Sequence, residues 1–288
     1  QGKCLVAILE GMVAGLIVDE KKINRELARQ HKDCGSGVRV SLENNQAEIL
    51  SGVRFKRSIG GPIALLIPNE DFKMSDSPAI KRARETTSRV AVGAVCKAFL
   101  DEFDVKITSR VVSSKGVFEV VAKGVPAGLG SFVHYDRRLS AQLCAALMSM
   151  EAVKGVEIGM GFEVSEILGK DAQDEIYHDK KRGFYRKTNH AGGFEGGVTN
   201  GENLVLRAVT RSHASLMSPL QSANLVTREK GSPPAEWSGM SVVSICAVAG
   251  EAIVAFELAK SFLEKFGGDS LKETFRNYKG YLGQIEKF

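Results

Sequence analysis

The apolar positions fall into runs and alternations that outline strands and helices in mixed order. Residues 4–9, Cys-Leu-Val-Ala-Ile-Leu, form an unbroken apolar run of strand length and read as a buried strand. Asp19 can cap a helix that runs to about Gln30. Val38, Val40 and Leu42 alternate with polar neighbours, as in a half-buried strand. Residues 47–55 read as its hairpin mate across an Asn44-Asn45 turn. Gly60-Gly61-Pro62 breaks the chain before an apolar strand at 63–67. Asp76-Ser77-Pro78 is the clearest helix start, a capping residue followed by a proline in the first turn, and the helix runs to about Phe103. Strands follow near 105–112 and 116–122, and helices over about 137–150 and 249–265. The latter stops at Gly267-Gly268, and Asp269 is read as the cap of a last, amphipathic helix.

One internal echo shapes the fold expectation. Residues 7–16 read A-I-L-E-G-M-V-A-G-L and residues 120–129 read V-V-A-K-G-V-P-A-G-L. Each is a strand, a glycine turn and more apolar chain, followed by an aspartate (Asp19, Asp136) and a helix. Short-period repeats are missing, so a solenoid is disfavoured and two similar halves within one fold are expected.

Composition narrows the class. The chain has 288 residues, 43% of them apolar and 25% charged, which suits a soluble globular protein with a sizeable core. Its 39 basic against 34 acidic residues leave a net charge of +5. The basic residues are spread out, and the longest run is Lys180-Lys181-Arg182. A nucleic-acid binder would mass them on one face, so a solvated surface or a small anionic substrate met by a few arginines fits better. Five cysteines occur without a C-x-x-C spacing, which disfavours zinc and thioredoxin-like chemistry and fits a reducing cytoplasm. No apolar run approaches 18 residues, so no membrane span is expected.

Two segments could carry chemistry. Residues 189–201, N-H-A-G-G-F-E-G-G-V-T-N-G, hold five glycines, whose exposed N–H groups can form an anion-binding nest; a long flexible loop is the plainer alternative. The segment is neither a G-x-G-x-x-G nor a P-loop. The helix opening at Asp76 carries Arg82 and Arg89 on one face and Lys81, Arg84 and Ser88 on an adjoining one. Such a row can clamp phosphate and carboxylate groups, or it is an exposed face balanced by Glu85. The five histidines show no metal-ligand spacing, and no G-x-S-x-G occurs.

With those segments in place, the chain resembles the chorismate synthase family along nearly its whole length. The resemblance is carried by E-G-M-V-A-G-L (10–16), A-E-I-L-S-G-V-R-F (47–55), G-G-P-I-A-L-L-I (60–67) and R-E-T-T-S-R-V-A-V-G-A-V (84–95). It continues through V-P-A-G-L-G-S (125–131), K-G-V-E-I-G-M-G-F (154–162), D-E-I-Y (174–177), the glycine-rich 189–201 and L-E-K-F-G-G-D-S-L (263–271). The resemblance implies an α+β fold, a β-α-β sandwich of two pseudo-symmetric halves at about 1–112 and 116–288 in a single domain. It implies a cytoplasmic homotetramer that eliminates phosphate (trans-1,4) from 5-enolpyruvylshikimate 3-phosphate, with reduced FMN and no net redox change. NADPH is a candidate reductant. Flavin contacts implied by the family's motifs fall on Ile80, Lys81 and Arg82, on Glu151 and Ala152, on Gly196, and on Arg211, Ser212, His213, Ala214 and Ser215. In that last stretch Arg211 stands where the family has Lys, and Ser215 where it has Thr, so charge and hydroxyl survive. Arg84 and Arg39 fall at substrate-binding positions.

The departures concentrate in a few places. The family's G-E-S-H-G stretch with its catalytic histidine is not in the sequence, which reads Gln1-Gly2 at that point. Only Lys73, Met74 and Ser75 separate Phe72 from Asp76, where R-P-G-H-A-D and a following loop are expected. An insertion expected before Gly116 is missing. The R-S-D-x-C-A-V-P segment is degraded around Trp237-Ser238-Gly239 or Ser244–Val248, and Gln30 and Ser36 replace two arginines. Catalytic residues are therefore assigned to no position. Either mobile loops are left out of an active lyase, or the chain is a flavin-binding homologue without the elimination. Intact framework segments with abrupt breaks between them favour the first.

Overall fold

A computed structural model describes residues 2–32, 46–69, 78–113, 115–180, 183–211, 222–223, 227–231 and 242–287. Side chains are described throughout these stretches except at 31–32, 78–85, 222, 231 and 242. The expected strand at 38–42 and the capping residues Asp76 and Ser77 lie outside them.

The first half runs β1 (Cys4–Leu9), α1 (Glu20–Lys32), β2 (Glu48–Ser51), a small hairpin β3 (Val53–Arg54) and β4 (Arg57–Ser58), β5 (Ile63–Pro68) and α2 (Pro78–Asp101). β6 (Lys106–Ser113) leads to the second half: β7 (Val117–Lys123), α3 (Leu139–Met148), β8 (Val153–Ile158), the hairpins β9 (Ile176–Asp179) with β10 (Gly183–Arg186) and β11 (Phe194–Glu195) with β12 (Val198–Thr199), and β13 (Leu204–Thr210). A two-residue pair, β14 (Ser222–Ala223) and β15 (Lys230–Gly231), precedes α4 (Val242–Phe266) and α5 (Leu271–Ile285). The order β1-β5-β2 in one antiparallel sheet has the same connectivity as β7-β13-β8 in the other, where β6 adds an edge. In both halves the first strand pairs with the third, the third pairs with the second, and a long helix follows.

The fold is α+β, two sheets with a layer of helices between them. The side-chain pattern shows why. Ile23, Leu27 and Gln30 are buried at helical spacing on α1, a single inward stripe. α4 and the part of α2 from Val90 on are apolar nearly all round, with Val90, Ala91, Val95, Phe99, Ala249, Val254, Leu258 and Phe262 buried, as enclosed helices must be. Position 93 of α2 lies against Ala252 of α4, and Phe99 and Phe103 meet Phe262, so the two helices run side by side in the same direction. A Cβ at Gly93 would overlap the Ala252 backbone, so glycine there sets the closeness of the pair.

Three local readings need correction. The apolar run 4–9 is only half buried: Val6 and Ile8 point outward, 55% and 64% exposed, because one face of the three-stranded sheet carries no helices. The cap of α5 is Ser270, whose hydroxyl accepts the Glu273 N–H, rather than Asp269. Glu273 in turn accepts the Asp269 N–H at 3.0 Å, so Ser270 and Glu273 work as a displaced capping box. α4 starts at Val242, earlier than expected, through the β-branched stretch Val-Val-Ser-Ile-Cys. Enclosure by the core overrides the weak propensity of those residues.

The helical layer holds a charge cluster built around one buried carboxylate. Glu251 of α4 has a fully buried side chain. Arg29 of α1 donates to both of its carboxylate oxygens at 2.9 Å, Ser109 of β6 donates at 2.6 Å, and Lys97 of α2 adds an ion pair. Glu26 balances the second cation, pairing with Arg29 and Lys97 at 2.7 Å each. Two cations, two anions and the Ser109 hydroxyl join four elements with no net charge. Burial pushes the Glu251 carboxyl up, but Arg29, Lys97 and Ser109 outweigh it and hold it at about 2, against 4.5 for an ordinary glutamate.

The opposite, outer face of the four-stranded sheet carries a second row. Arg110 of β6, Glu119 of β7, Arg207 of β13 and Glu157 of β8 sit directly across from one another in the strand register. Arg110 Nε lies 2.7 Å and Arg207 Nε 3.2 Å from Glu119, and Arg207 Nη1 lies 3.7 Å from Glu157.

A carboxylate depressed on folding contributes stability above its unfolded pKa and loses it as pH falls towards the folded one. The Glu251 contribution, about 3 kcal/mol from its shift, is therefore complete above about pH 4.5 and fades towards pH 2. Urea melts at pH 7 and pH 3.5 should show a drop in midpoint for the wild type. Glu251→Gln should start lower at pH 7, because Arg29 and Lys97 lose a charged partner, and should show a smaller pH-dependent drop.

Candidate active site

Chain direction brings many segment ends to one end of the sandwich. The start of β1 pairs with the end of β5, Cys4 opposite Pro68, and β5 leads to the start of α2. In the second half the end of β13 pairs with the start of β8, Thr210 opposite Val153, and the chain then returns as α4. Because α2 and α4 are parallel, both of their N-termini open at this end. Each carries the positive end of a helix dipole, a favourable place for anions.

The candidate residues separate into groups. Ile80, Lys81, Arg82 and Arg84 lie in the first two turns of α2, hence at this end, although their side chains lie outside the described residues. Glu151 and Ala152 follow the end of α3. The Ala152 carbonyl accepts the Arg211 N–H at 2.8 Å, so two stretches 59 positions apart in sequence meet here. Arg89 of α2 donates to the Ser149 hydroxyl at 2.6 Å and ties the arginine-bearing helix to the same corner. Arg39, Ser212, His213, Ala214 and Ser215 lie outside the described residues, as do Ser36 and Trp237. Gln30 is buried and donates to Thr86 at 2.8 Å, a neutral link between α1 and α2 where the family pattern has a cation.

Gly196 is not brought to this corner. It turns the β11–β12 hairpin, and the neighbouring Gly197 carbonyl accepts the N–H of Leu139, the first residue of α3. Glu151 lies beyond the other end of that helix, about 15 Å along its axis.

The glycine-rich segment is an ordered turn built around one carboxylate. Asp174 accepts the N–H groups of His190 at 2.8 Å and Ala191 at 2.9 Å, and the Thr188 hydroxyl at 2.6 Å. Burial raises its pKa, but these donors outweigh that and hold the carboxyl below the usual range. The nest expected for an external anion thus binds the protein's own side chain at these two donors. A Cβ at Gly197 would overlap the Arg138 side chain, so this glycine lets the hairpin lie against the start of α3. Asp174 belongs to the D-E-I-Y stretch, but its role has no local signal in sequence. The same holds for Asn69, buried at the end of β5, which donates its side-chain N–H to the Gly2 carbonyl at 2.8 Å and its backbone N–H to Lys3. It anchors the chain just before β1 at the candidate end.

No group of three or more His, Cys, Asp or Glu among the described residues is placed to hold a metal ion. The fold is a β-α-β sandwich whose two central helices both begin at one end, where several of the candidate residues lie.

Comparison with known proteins gives the class a family. The family model described as chorismate synthase matches residues 1–82 and 113–263. A chorismate synthase of Thermoanaerobacter pseudethanolicus is 37% identical over 340 positions, covering 100% of this chain and 97% of its own. One of Geobacter metallireducens is 38% identical over 382 positions with the same coverage. A crystal structure of chorismate synthase superposes with a TM-score of 0.82 at 35% identity, covering 100% of this chain and 96% of that one. The chain belongs to the chorismate synthase family. The activity that goes with membership is chorismate formation, a lyase reaction on the shikimate route to aromatic compounds, and nothing in these comparisons favours an inactive homologue. Alignments of 340 and 382 positions exceed the 288 residues of this chain, so each relative carries residues in stretches that this chain skips.

Asp174→Ala should cost about 2 kcal/mol of unfolding free energy, by loss of charge-assisted bonds at a half-exposed site. It should also raise amide hydrogen exchange at His190 and Ala191. Asp174→Asn, which keeps one carbonyl acceptor, should fall between the variant and wild type.

Proposed function

We propose that the end of the sandwich where α2 and α4 begin holds reduced FMN and 5-enolpyruvylshikimate 3-phosphate, and that the protein eliminates phosphate from the latter to give chorismate. The observation that carries this is the convergence of two parallel helix N-termini with the Ala152–Arg211 contact. It is supported by the family's flavin motifs, which fall on Ile80, Lys81, Arg82, Glu151, Ala152 and Arg211 at that end.

The donor set suits the flavin. Its phosphate needs cations and N–H donors, which Arg211 with the neighbouring Ser212–Ser215 stretch and the two helix starts supply. Reduced flavin, when bound, supplies electron density that helps the substrate's phosphate to depart with no net redox change. The chain's own part is electrostatic. Arg84 and Arg39 hold the substrate's anionic groups, and the helix dipoles offset the negative charge that grows on the leaving phosphate. Arg89 keeps α2 in register with the α3 corner by its bond to Ser149. Proton-transfer groups are assigned to no residue of this chain, because the family's histidine positions do not occur in it.

The assembly is a homotetramer in the cytoplasm, and NADPH is a candidate reductant. Among the described residues, no helix is long and apolar enough to cross a membrane. Gly196 is separated from Arg211 by the length of β13, about 20 Å. Its share in a flavin site therefore comes from a neighbouring copy.

Anaerobic incubation of the gene product with chemically reduced FMN and the substrate should release inorganic phosphate and form chorismate without consuming reductant in proportion. Tight flavin binding without phosphate release would leave only a binding homologue. Arg211→Ala should weaken FMN binding about 10- to 100-fold, read by flavin fluorescence, which corresponds to one or two charge-assisted bonds. Arg211→Lys should recover part of it.

A further inference from the structure

We infer that Asn69 is a substrate-binding residue, whose side-chain carbonyl oxygen Oδ1 accepts a hydrogen bond from the free ring hydroxyl of the substrate. The inference rests on the reading proposed above for this end of the sandwich, and adds to it the group that recognises the substrate's uncharged part.

Two matching positions in the two halves carry the argument. Asn69 follows β5 and Thr210 ends β13, the strands that hold the same place in the β1-β5-β2 and β7-β13-β8 arrangements. Each continues the buried face of its strand, Ile63, Leu65, Ile67 and Asn69 in one and Leu204, Leu206, Ala208 and Thr210 in the other. Both side chains therefore face the helical layer at the end where α2 and α4 begin. Each also ties down the chain that enters the neighbouring strand. Thr210 donates its backbone N–H at 2.8 Å and its hydroxyl at 3.1 Å to the Gly116 carbonyl, just before β7. Asn69 donates its backbone N–H to the Lys3 carbonyl at 2.9 Å and its Nδ2 to the Gly2 carbonyl at 2.8 Å, just before β1. A hydroxyl is enough for this tie in the second half. The amide of Asn69 thus carries one group that the tie does not use.

That group is Oδ1. Asn69 is 7% exposed, and its Oδ1 is buried with no hydrogen-bond partner among the described residues. The bond to the Gly2 carbonyl fixes which branch of the amide is nitrogen, because only Nδ2 can donate to it. Buried acceptors are normally satisfied, and leaving one bare costs free energy. An acceptor held in this way on the end of a paired strand is suited to a neutral donor on a ligand.

Chemistry selects the donor. The substrate's phosphate and two carboxylates only accept when ionised, so a carbonyl oxygen repels them. With ring positions 3 and 5 substituted, the 4-hydroxyl is the substrate's free O–H donor, and it lies between the phosphate and the enolpyruvyl group. The connection that begins at Asn69 leads into α2 and Arg84, a substrate position by the family's motifs, whereas Glu151, Ala152 and Arg211, flavin positions, belong to the second half. Arginines hold the charges, and Asn69 reads the hydroxyl between them.

Calorimetric binding to the holoenzyme with oxidised FMN, where no turnover intervenes, tests this with 5-enolpyruvylshikimate 3-phosphate and its 4-deoxy analogue. The wild type should bind the analogue about tenfold or more weakly, the scale of one lost hydrogen bond that leaves a buried acceptor bare. Asn69→Thr keeps a hydroxyl for the Gly2 carbonyl, as at Thr210, and removes Oδ1. It should melt and bind FMN like the wild type, and should bind the two ligands about equally. A merely structural role would weaken both ligands alike and leave their ratio unchanged. Equal binding of both ligands by the wild type would mean that Oδ1 meets only water, and would overturn the inference whether or not the variant folds. A variant that keeps the wild-type ratio would overturn it too, and a loss of FMN affinity at that unchanged ratio would give Oδ1 to a flavin N–H instead. The phosphate-release assay of the wild type separates the two readings: chorismate formation alongside any of these failures keeps the proposed function, and no phosphate release removes both.

Discussion

Two buried helices lie side by side and point the same way, and the molecule is organised around that constraint. Parallel helices place like dipole ends together, which is unfavourable unless something compensates. Here close contact at Gly93 and Ala252 and the enclosing sheets supply the packing. The Glu251 cluster crosses the pair and binds α4 to α1, α2 and β6 in one register. A buried cluster of this kind adds little net stability over an apolar core, but it penalises any slip of one helix along another, because a slip would strand a charge. The benefit appears at the helix starts. Both N-termini arrive at one end, where the substrate and cofactor proposed for it, both anionic, would offset the repulsion between the dipoles.

The same logic separates closed from open electrostatics. The Glu251 cluster is internally neutral, the two arginines of the outer row are matched by Glu119, Glu157 and Glu163, and Asp174 is satisfied by the turn around it. The surplus of five positive charges is therefore carried by other residues of the chain. A mild net charge can then serve an enzyme of small anions, since it needs a local concentration of donors rather than a basic face of the kind nucleic acid requires.

Much of the framework was legible because it rests on local signals. The Pro78 helix start, the Gly267-Gly268 stop and the apolar β5 each follow from a few adjacent residues, and all appear in the fold. The echo between 7–16 and 120–129 lies at β1 and β7, which hold matching places in the two sheets, and at the turn that follows each. What escaped were relations between distant residues. Nothing near Asp174 indicates that its carboxylate organises a turn sixteen residues on, and nothing in A-G-E-A shows Glu251 meeting Arg29. Outward Val6 and Ile8 were misread because an apolar run does not tell which face a helix covers. The site was legible mainly through family motifs, since basic residues on a helix look alike whether they bind a ligand or water.

Distance along the second half bears on the proposed site. The Gly196 hairpin and Arg211 sit at opposite ends of β13, a strand paired on both sides, with β7 and with β8, and bulged at Val209/Thr210. Local motion cannot close such a gap without breaking that ladder. A site that uses both must draw one of them from another copy, so a monomer could fold correctly and still lack part of its cofactor contacts. Oligomerisation would then be a condition of activity rather than an addition to stability.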